Sequence, residues 1–418
     1  MAKNNKNILL TVIILAVLAG GVIFYVQWVL RPAATAEQAG KSTVTEPEQS
    51  DQTAGQTAGQ EPAESQEPET PPEPVIVPRF EPKARPEVTI DEYADLTDEQ
   101  KQLKAFELYT EAKELIEAAD ARLPDVWKSA VESDFEKIDT SDYDRAATLL
   151  EKSILLKPDY ARAYNSLGMA YSSLGLEYQT IAMYEKAISI DPDLVEPHFF
   201  VAGWYAMQQQ YDKALSEYQK VVELDPAHAD AFACMGAMYE GAGDLKRAIE
   251  LYEAGAAAKP DGDGGLTCLM SAGGIYGYLK QYDKAAEAYS RVINVKPDYV
   301  MAYSNRGLIY SRSDEHEKAV ADYDKAVELN PDSPTVFYDR ARGYYGWNKF
   351  DEALVDINRA MEMKPDTPLY IFCRSRIWFA MGQLDKAWED LRTVEKMGFE
   401  VSPDYKNLIY SLITKKDY

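Results

Sequence analysis

Histidine and cysteine are scarce in this chain, with three of each in 418 residues. His198, His228 and His316 lie far apart, and none has a second histidine or a cysteine at metal-ligand spacing. Cys234, Cys268 and Cys373 are an odd set without a metal pattern. They read as packing thiols that suit a reducing or an oxidising compartment alike. Basic residues are outnumbered, 44 lysines and arginines against 69 acidic residues. The net charge of −25 lacks the cationic footprint that nucleic acid requires, so no nucleic-acid partner is expected. No strand-type alternation occurs, so no glycine-rich phosphate loop has a strand to follow. Neither a cofactor nor a metal nor a catalytic constellation is expected. Of the two function classes left, binding scaffold and enzyme, only the first has residues in its favour.

One long apolar run is present. Residues 8–30 carry no charge, and these 23 residues suffice to span a bilayer. Lys3 and Lys6 precede the run, whereas Arg31 leads into an acidic stretch. The positive-inside rule then leaves residues 1–7 in the cytoplasm and carries the rest across the membrane. Tyr25, Gln27 and Trp28 suit the far interface. A cleaved secretion signal is the rival reading, since Ala34-Thr35-Ala36 has the small-x-small form of a cleavage site and cleavage would release a soluble adaptor. The run is longer than the usual signal core and no lipobox cysteine follows it, which favours an uncleaved anchor. A bacterial inner membrane with the bulk of the chain in the periplasm fits this best, and a eukaryotic lumenal setting stays open. Residues 31–90 then form a linker. From Ala33 to Ile90 eleven acidic residues face four basic ones, and Thr53-Ala-Gly-Gln recurs at Thr57. Such a composition buries too little apolar surface to order itself, and its like charges and Pro-Glu run keep it extended.

Beyond residue 160 a 34-residue unit repeats seven times, starting at Ala161, Val195, Ala229, Leu266, Val300, Pro334 and Pro368. Place eleven is aromatic in all seven: Tyr171, Tyr205, Tyr239, Tyr276, Tyr310, Tyr344 and Trp378. Place eight is small (Gly168, Ala202, Gly236, Gly273, Gly307, Ala341, Ser375), and place twenty is alanine except for Thr180. Place twenty-four is Tyr184, Tyr218, Tyr252, Tyr289 and Tyr323, then Ile357 and Leu391. Apolar residues at four, seven, eight and eleven mark one helix face, and those at twenty, twenty-four and twenty-seven mark a second helix. Pro192, Pro226, Pro260, Pro297, Pro331 and Pro365 stop the second helix, because proline lacks the donor N–H. A single hairpin cannot bury both faces, so copies must stack.

This register resembles the tetratricopeptide repeat (TPR) family. The resemblance covers somewhat over half of the chain and implies an all-α, right-handed superhelical solenoid with a concave surface lined by first helices. Residues 91–160 read as a degenerate first repeat: Gln100 to Ala121 as its first helix, an insert around Leu123 to Ser141, and Ala146, Leu150 and Pro158 in its second half. Three extra residues before Leu266, in Asp261-Gly262-Asp263-Gly264-Gly265, read as a flexible joint, because the third acidic ligand and the distal glutamate of a calcium loop are missing. Residues 399–418 read as a capping helix that starts at Ser402-Pro403-Asp404, with Leu408, Ile409, Leu412 and Ile413 as its apolar stripe.

The resemblance implies that a protein or peptide partner binds in the groove, lined mainly by places two, five, nine, twelve and thirteen. The sixth repeat carries Tyr338, Arg342 and Tyr345 there, and the seventh carries Phe372, Arg376 and Phe379. Each triplet has the i, i+4, i+7 spacing of one helix face, with Arg312 extending them in the fifth repeat. Arginine stacks on aromatic rings while holding a carboxylate, so an acidic segment is the expected ligand. The bland alternative is that the carboxy-terminal tail fills this groove and the same residues are packing. Upstream the groove is blander, with Phe199, Met207, Met270 and Tyr278 among Gly203, Ala206, Ala233 and Ala237. The carboxylate clamp of chaperone-binding TPR proteins is not carried over, because Asn165 and Asn305 stand without its lysines. Arg306, Arg340 and Arg374 take the normally apolar seventh place, each with an aspartate sixteen residues on: Asp322, Asp356 and Asp390. Repeats without the arginine lack the aspartate, so structural ion pairs across each hairpin are expected. The functional expectation is a membrane-tethered scaffold in a cell-envelope assembly, held to lipid through residues 8–30.

Overall fold

The computed structural model describes residues 85–127 and 139–416. Among them are seventeen α-helices, one 3-10 turn at Asp91–Tyr93, and no strand. No helix among the described residues is long and apolar enough to cross a membrane. Residues 8–30 and nearly all of the linker lie outside the described residues.

The chain divides into two compact units, with the boundary between Ile190 and Asp191. The first holds α1 (Asp98–Trp127), α2 (Ser141–Leu156), α3 (Ala161–Ser173) and α4 (Glu177–Ile190). Helix α1 runs six residues past Ala121, so the start of the expected insert continues the helix; residues 128–138 lie outside the described residues. Ala112, Ile116, Tyr143, Ala147, Leu150, Ala163 and Leu167 form the core of this unit. Arg85 clamps the segment ahead of α1 onto α2. Its Nε donates to Glu151 at 3.1 Å and its Nη2 to the Thr148 hydroxyl at 3.0 Å, with a further ion pair to Asp144.

The second unit is built from six hairpins: α5 (Val195–Met207) with α6 (Tyr211–Leu224), α7 (Ala229–Gly241) with α8 (Leu245–Ala258), α9 (Asp263–Tyr278) with α10 (Tyr282–Val295), α11 (Val300–Arg312) with α12 (His316–Leu329), α13 (Pro334–Gly346) with α14 (Phe350–Met363), and α15 (Pro368–Ala380) with α16 (Leu384–Lys396). A last helix, α17 (Pro403–Lys416), packs on α16. The second helices α6, α8, α10, α12 and α14 each stop two residues before a junction proline, while α16 has none and ends at Lys396. Pro334 and Pro368 open α13 and α15, where their missing N–H costs no helical bond.

Two local devices fold each hairpin. Place fifteen is left-handed in every copy: Gly175, Gln209, Gly243, Lys280, Asp314, Asn348 and Gly382 all have φ between 58° and 85°. The next N–H then returns to the place-eleven carbonyl, as in Gln210 to Tyr205 at 2.9 Å and Gln281 to Tyr276 at 2.8 Å, which closes the first helix with a Schellman turn. The second device is close approach. A Cβ added at Gly236 would meet the Tyr252 ring at 2.7 Å, and one at Gly307 would meet Tyr323 at 3.0 Å. Place eight is therefore small wherever place twenty-four is a buried tyrosine.

The insert departs from the expected flexible joint. Asp263, Gly264 and Gly265 are helical and extend α9 to 16 residues. Glycine is required there, since a Cβ at Gly265 would lie 1.9 Å from the Lys259 carbonyl oxygen. Helix α17 also departs from its expected stripe. Ile409 is fully buried, with Tyr405 and Ile413 beside it against Ala387 and Leu391, while Leu408 and Leu412 point outward.

Candidate functional site

First helices of neighbouring hairpins touch in the second unit, α7 with α9, α9 with α11, α11 with α13, and α13 with α15. They place the groove residues side by side. Between α11, α12, α13 and α15 lies a concavity of about 170 Å³ lined by Leu308, Ser311, Tyr323, Arg342, Gly343, Tyr345, Cys373 and Arg376. Its floor is apolar and aromatic, and its charged walls are two guanidiniums. Arg342 stacks over Tyr338 at 5.5 Å, and Arg376 stacks over Tyr345 at 5.1 Å. Both arginines are exposed, and among the described residues neither makes a salt bridge, nor does Arg312. Arg312 and Arg342 both act electrostatically on the Tyr323 hydroxyl, which burial raises well above its usual range.

The acidic group facing Arg342 is Asp339. Burial pushes its carboxyl up to about 6, against the opposing pull of Arg342 and of a hydrogen bond from Ser304. Burial likewise raises the Cys373 thiol to about 11, partly offset by Arg342 and Arg376. At neutral pH that thiol is protonated and a poor nucleophile.

The other sequence-predicted groove residues divide. Phe372 packs against Phe399 at 5.6 Å and Tyr405 at 5.8 Å, and Phe379 packs against Tyr405 at 5.6 Å. Helix α17 therefore covers the end of the groove, and these two rings belong to its seat. Tyr338 meets Tyr370 at 5.2 Å, and Tyr345 meets Phe350 at 5.9 Å. Arg342, Arg376 and Tyr345 line the open part. Upstream, Phe199 is packed by Tyr218 and His228, while Tyr278 stands exposed.

The seventh-place arginines lie away from this concavity and are fully engaged. Arg306 donates from Nε and Nη2 to Asp322, both at 2.7 Å. Arg340 grips Asp356 at 2.7 and 2.8 Å, and Arg374 grips Asp390 at 2.9 and 2.7 Å. In each case Nη1 reaches back sixteen residues into the preceding hairpin: Ser290 at 2.8 Å, Asp324 at 2.7 Å and Asn358 at 3.2 Å. One side chain thus joins two hairpins.

Family signatures of the tetratricopeptide repeat match residues 161–194 and 300–333, and the TPR repeat signature matches 205–243 and 273–314. The chain carries TPR repeats. Similar solved structures include YrrB, described as a TPR protein with an unusual peptide-binding site, at 21% identity over 45% of this chain and 95% of that one, with a TM-score of 0.38. PilF from Pseudomonas aeruginosa is 18% identical over 54% and 98%, with a TM-score of 0.42. The C-terminal part of a TPR repeat-containing protein from Cytophaga hutchinsonii is 18% identical over 56% and 94%, with a TM-score of 0.47. No curated protein matches the sequence.

Within the TPR frame, three regularities escaped the sequence reading. Place fifteen is left-handed whether or not it is glycine. Place nineteen carries a cation over the place-eleven ring in five repeats: Lys213, Arg247, Lys284, Lys318 and Lys386, at 4.3–5.3 Å. Place twenty-five supplies the acceptors for the backward arm of each arginine. No distinct signal in the sequence marks that last set, since Ser290, Asp324 and Asn358 differ in chemistry and place twenty-five is polar in the other repeats too. Among the described residues no group of three or more His, Cys, Asp or Glu is arranged to hold a metal. His198 is spent on structure, with Nδ1 2.6 Å from Glu217 and Nε2 3.0 Å from the Pro192 carbonyl.

Proposed function

We propose that this chain is a scaffold whose carboxy-terminal TPR repeats hold a peptide segment of acidic character, with Arg342, Arg376, Tyr338 and Tyr345 as the gripping residues. The observation that carries this reading is the pair of salt-bridge-free guanidiniums, stacked on tyrosines in one concavity of a protein with a net charge of −25. Exposed cations in so acidic a chain would ordinarily find a carboxylate of their own. These two are held off by their rings and left available to a ligand.

The apolar run at residues 8–30 supports a tether to a lipid bilayer, and the acidic linker supports a spacer that holds the repeats away from its surface. A cell-envelope assembly with the repeats in the periplasm is the setting that suits both. Cleavage after Ala36 would make the same scaffold a soluble adaptor, and amino-terminal sequencing of the mature protein decides between the two. The binding reading is tested by crosslinking capture, comparing wild type with Arg342→Glu/Arg376→Glu. Loss of a partner from the variant, with helical circular dichroism unchanged, supports it. An identical set of partners in both would end it.

A further inference from the structure

One arginine of the amino-terminal unit enters a slot between hairpins from outside both of them. Arg85 stands in an extended stretch ahead of α1, as its place before Pro86 favours. Its guanidinium lies over the Tyr171 ring at 5.7 Å and bonds three side chains of α2: Asp144, Thr148 at 3.0 Å and Glu151 at 3.1 Å. Counted from Ala146 at place twenty, these acceptors are places eighteen, twenty-two and twenty-five, and Tyr171 is place eleven of the next repeat. Arg306 and Arg340 set a guanidinium in the equivalent position, over a place-eleven ring and onto a place-twenty-five side chain. Those two arrive from place seven of their own hairpins.

Between α6, α7 and α8 the same slot holds no such arginine. A concavity of about 270 Å³ is lined there by Asp212, Ser216 and Gln219 at the same three places, and by Tyr239 at place eleven. Its aliphatic lining is Met235 at place seven and Leu251 at place twenty-three, where the repeat beside Arg85 has Leu167 and Met183. No other repeat pairs an aspartate at eighteen with a hydroxyl at twenty-two. Among the described residues Gln219 bonds only Glu223 of its own helix, at 3.3 Å, and Asp212 has no ion pair. Arg247 already lies over the Tyr239 ring at 4.8 Å. A second cation is compatible with it, since Tyr310 carries Lys318 from place nineteen at 5.3 Å and Arg306 at 5.8 Å together.

We propose that this slot is an arginine socket for a partner protein, taking a guanidinium carried on an extended segment. The guest stacks on Tyr239, pairs with Asp212 and donates to Ser216 and Gln219, as Arg85 does at Tyr171, Asp144, Thr148 and Glu151. Its methylenes meet Met235 and Leu251. Arginine suits the slot better than lysine, because a planar fork stacks on a ring and bonds at its edge at once. Among the described residues no arginine of this chain bonds Asp212, Ser216 or Gln219, and the net charge of −25 favours a cationic guest from outside it. The socket shares no residue with the concavity at Arg342 and Arg376, so it stands apart from the acidic-segment reading.

The probe is a capped peptide copying residues 82–89, which carries Arg85 in its own extended context. The full chain, labelled at its methionine methyls, is titrated with it while the Met235 signal is followed by nuclear magnetic resonance and assigned by its loss in Met235→Leu. The arginine peptide is expected to move that signal to saturation. A peptide with citrulline in place of arginine is expected to bind about tenfold or more weakly, and Asp212→Asn in the chain to weaken the arginine peptide likewise. Met235→Arg/Leu251→Asp rebuilds the ladder pair in the slot and is expected to abolish binding with helical circular dichroism unchanged. An unmoved Met235 signal overturns the proposal, as does equal affinity for the citrulline peptide. A Met235 signal altered by Arg79→Gln with no peptide added would show the slot filled by the chain's own linker, and the partner would fall. None of these outcomes bears on capture through Arg342 and Arg376, which is read from its own variant.

Discussion

Asp339 and Lys280 show how single residues are held under local tension in this stack. The folded state raises the Asp339 carboxyl from 3.8 to about 6 by burial. The native state therefore binds a proton more tightly than the unfolded chain does. Stability contributed by the protonated form is complete below about pH 4 and falls away as pH rises through about 6. Asp339→Asn removes that loss. Thermal melts are expected to find the variant more stable than wild type at pH 7, by roughly 1–3 kcal/mol, with the difference vanishing near pH 4. A pH-independent difference would mean that Asp339 titrates normally. Lys280 has φ 58°, a conformation that crowds the Cβ of any L side chain. Glycine fills the equivalent place in three other repeats, and Lys280→Gly is expected to stabilise by about 0.5–1 kcal/mol in urea unfolding. The same turn in Gly243 would lose a similar amount on substitution by alanine.

At the scale of helices, the arginine ladder distinguishes the carboxy-terminal hairpins from those before them. The two arms of Arg340 differ in surroundings, since the Asp356 side chain is 5% exposed and that of Asp324 is 54% exposed. Removing Asp356 strands a guanidinium among buried neighbours, so Asp356→Ala is expected to cost about 3–5 kcal/mol, against about 1 kcal/mol or less for Asp324→Ala. A double-mutant cycle of Arg340→Ala with Asp356→Ala is expected to yield a coupling of roughly 1–3 kcal/mol, and additive losses would refute it. The Arg–Asp half of this ladder was legible in the sequence because both residues fall at fixed places and arrive together. Its backward arm was not. Ser290, Asp324 and Asn358 differ in chemistry and occupy a place that is polar in other repeats as well, so only their distance to the guanidinium identifies them. The extension of α9 was hidden for a similar reason. Asp-Gly-Asp-Gly-Gly has the composition of a loop, and tight packing against Lys259 overrides local preference.

For the whole molecule, periodicity made the helical hairpins legible, since apolar places recurring in register leave no other way to bury both faces. The candidate site was legible only in part. The triplet rule brought Arg342, Tyr345 and Arg376 together, but it also chose Phe372 and Phe379, whose rings are covered by Tyr405. A helix-face rule sees spacing within one element and is blind to what a later element lays across it. Tyr323 was missed for the converse reason, as it reaches the concavity from a core position of the preceding hairpin, whereas Leu308 occupies place nine of that hairpin, a groove place without a charged or aromatic side chain to mark it.

The ladder also sets the size of the unit that opens at once. Repeat arrays usually unravel hairpin by hairpin, because each contacts only its neighbours. Here Arg306, Arg340 and Arg374 tie α10 through α16 together, whereas α5 through α8 meet through apolar contacts at the same place, with Val201 and Met235. Amide protons on α10–α16 should therefore exchange with deuterium at one common, slow rate, while those on α5–α8 exchange earlier and in steps. Arg340→Met should split the slow block in two, so that a fray starting at either end of it halts at a boundary the wild-type protein does not have.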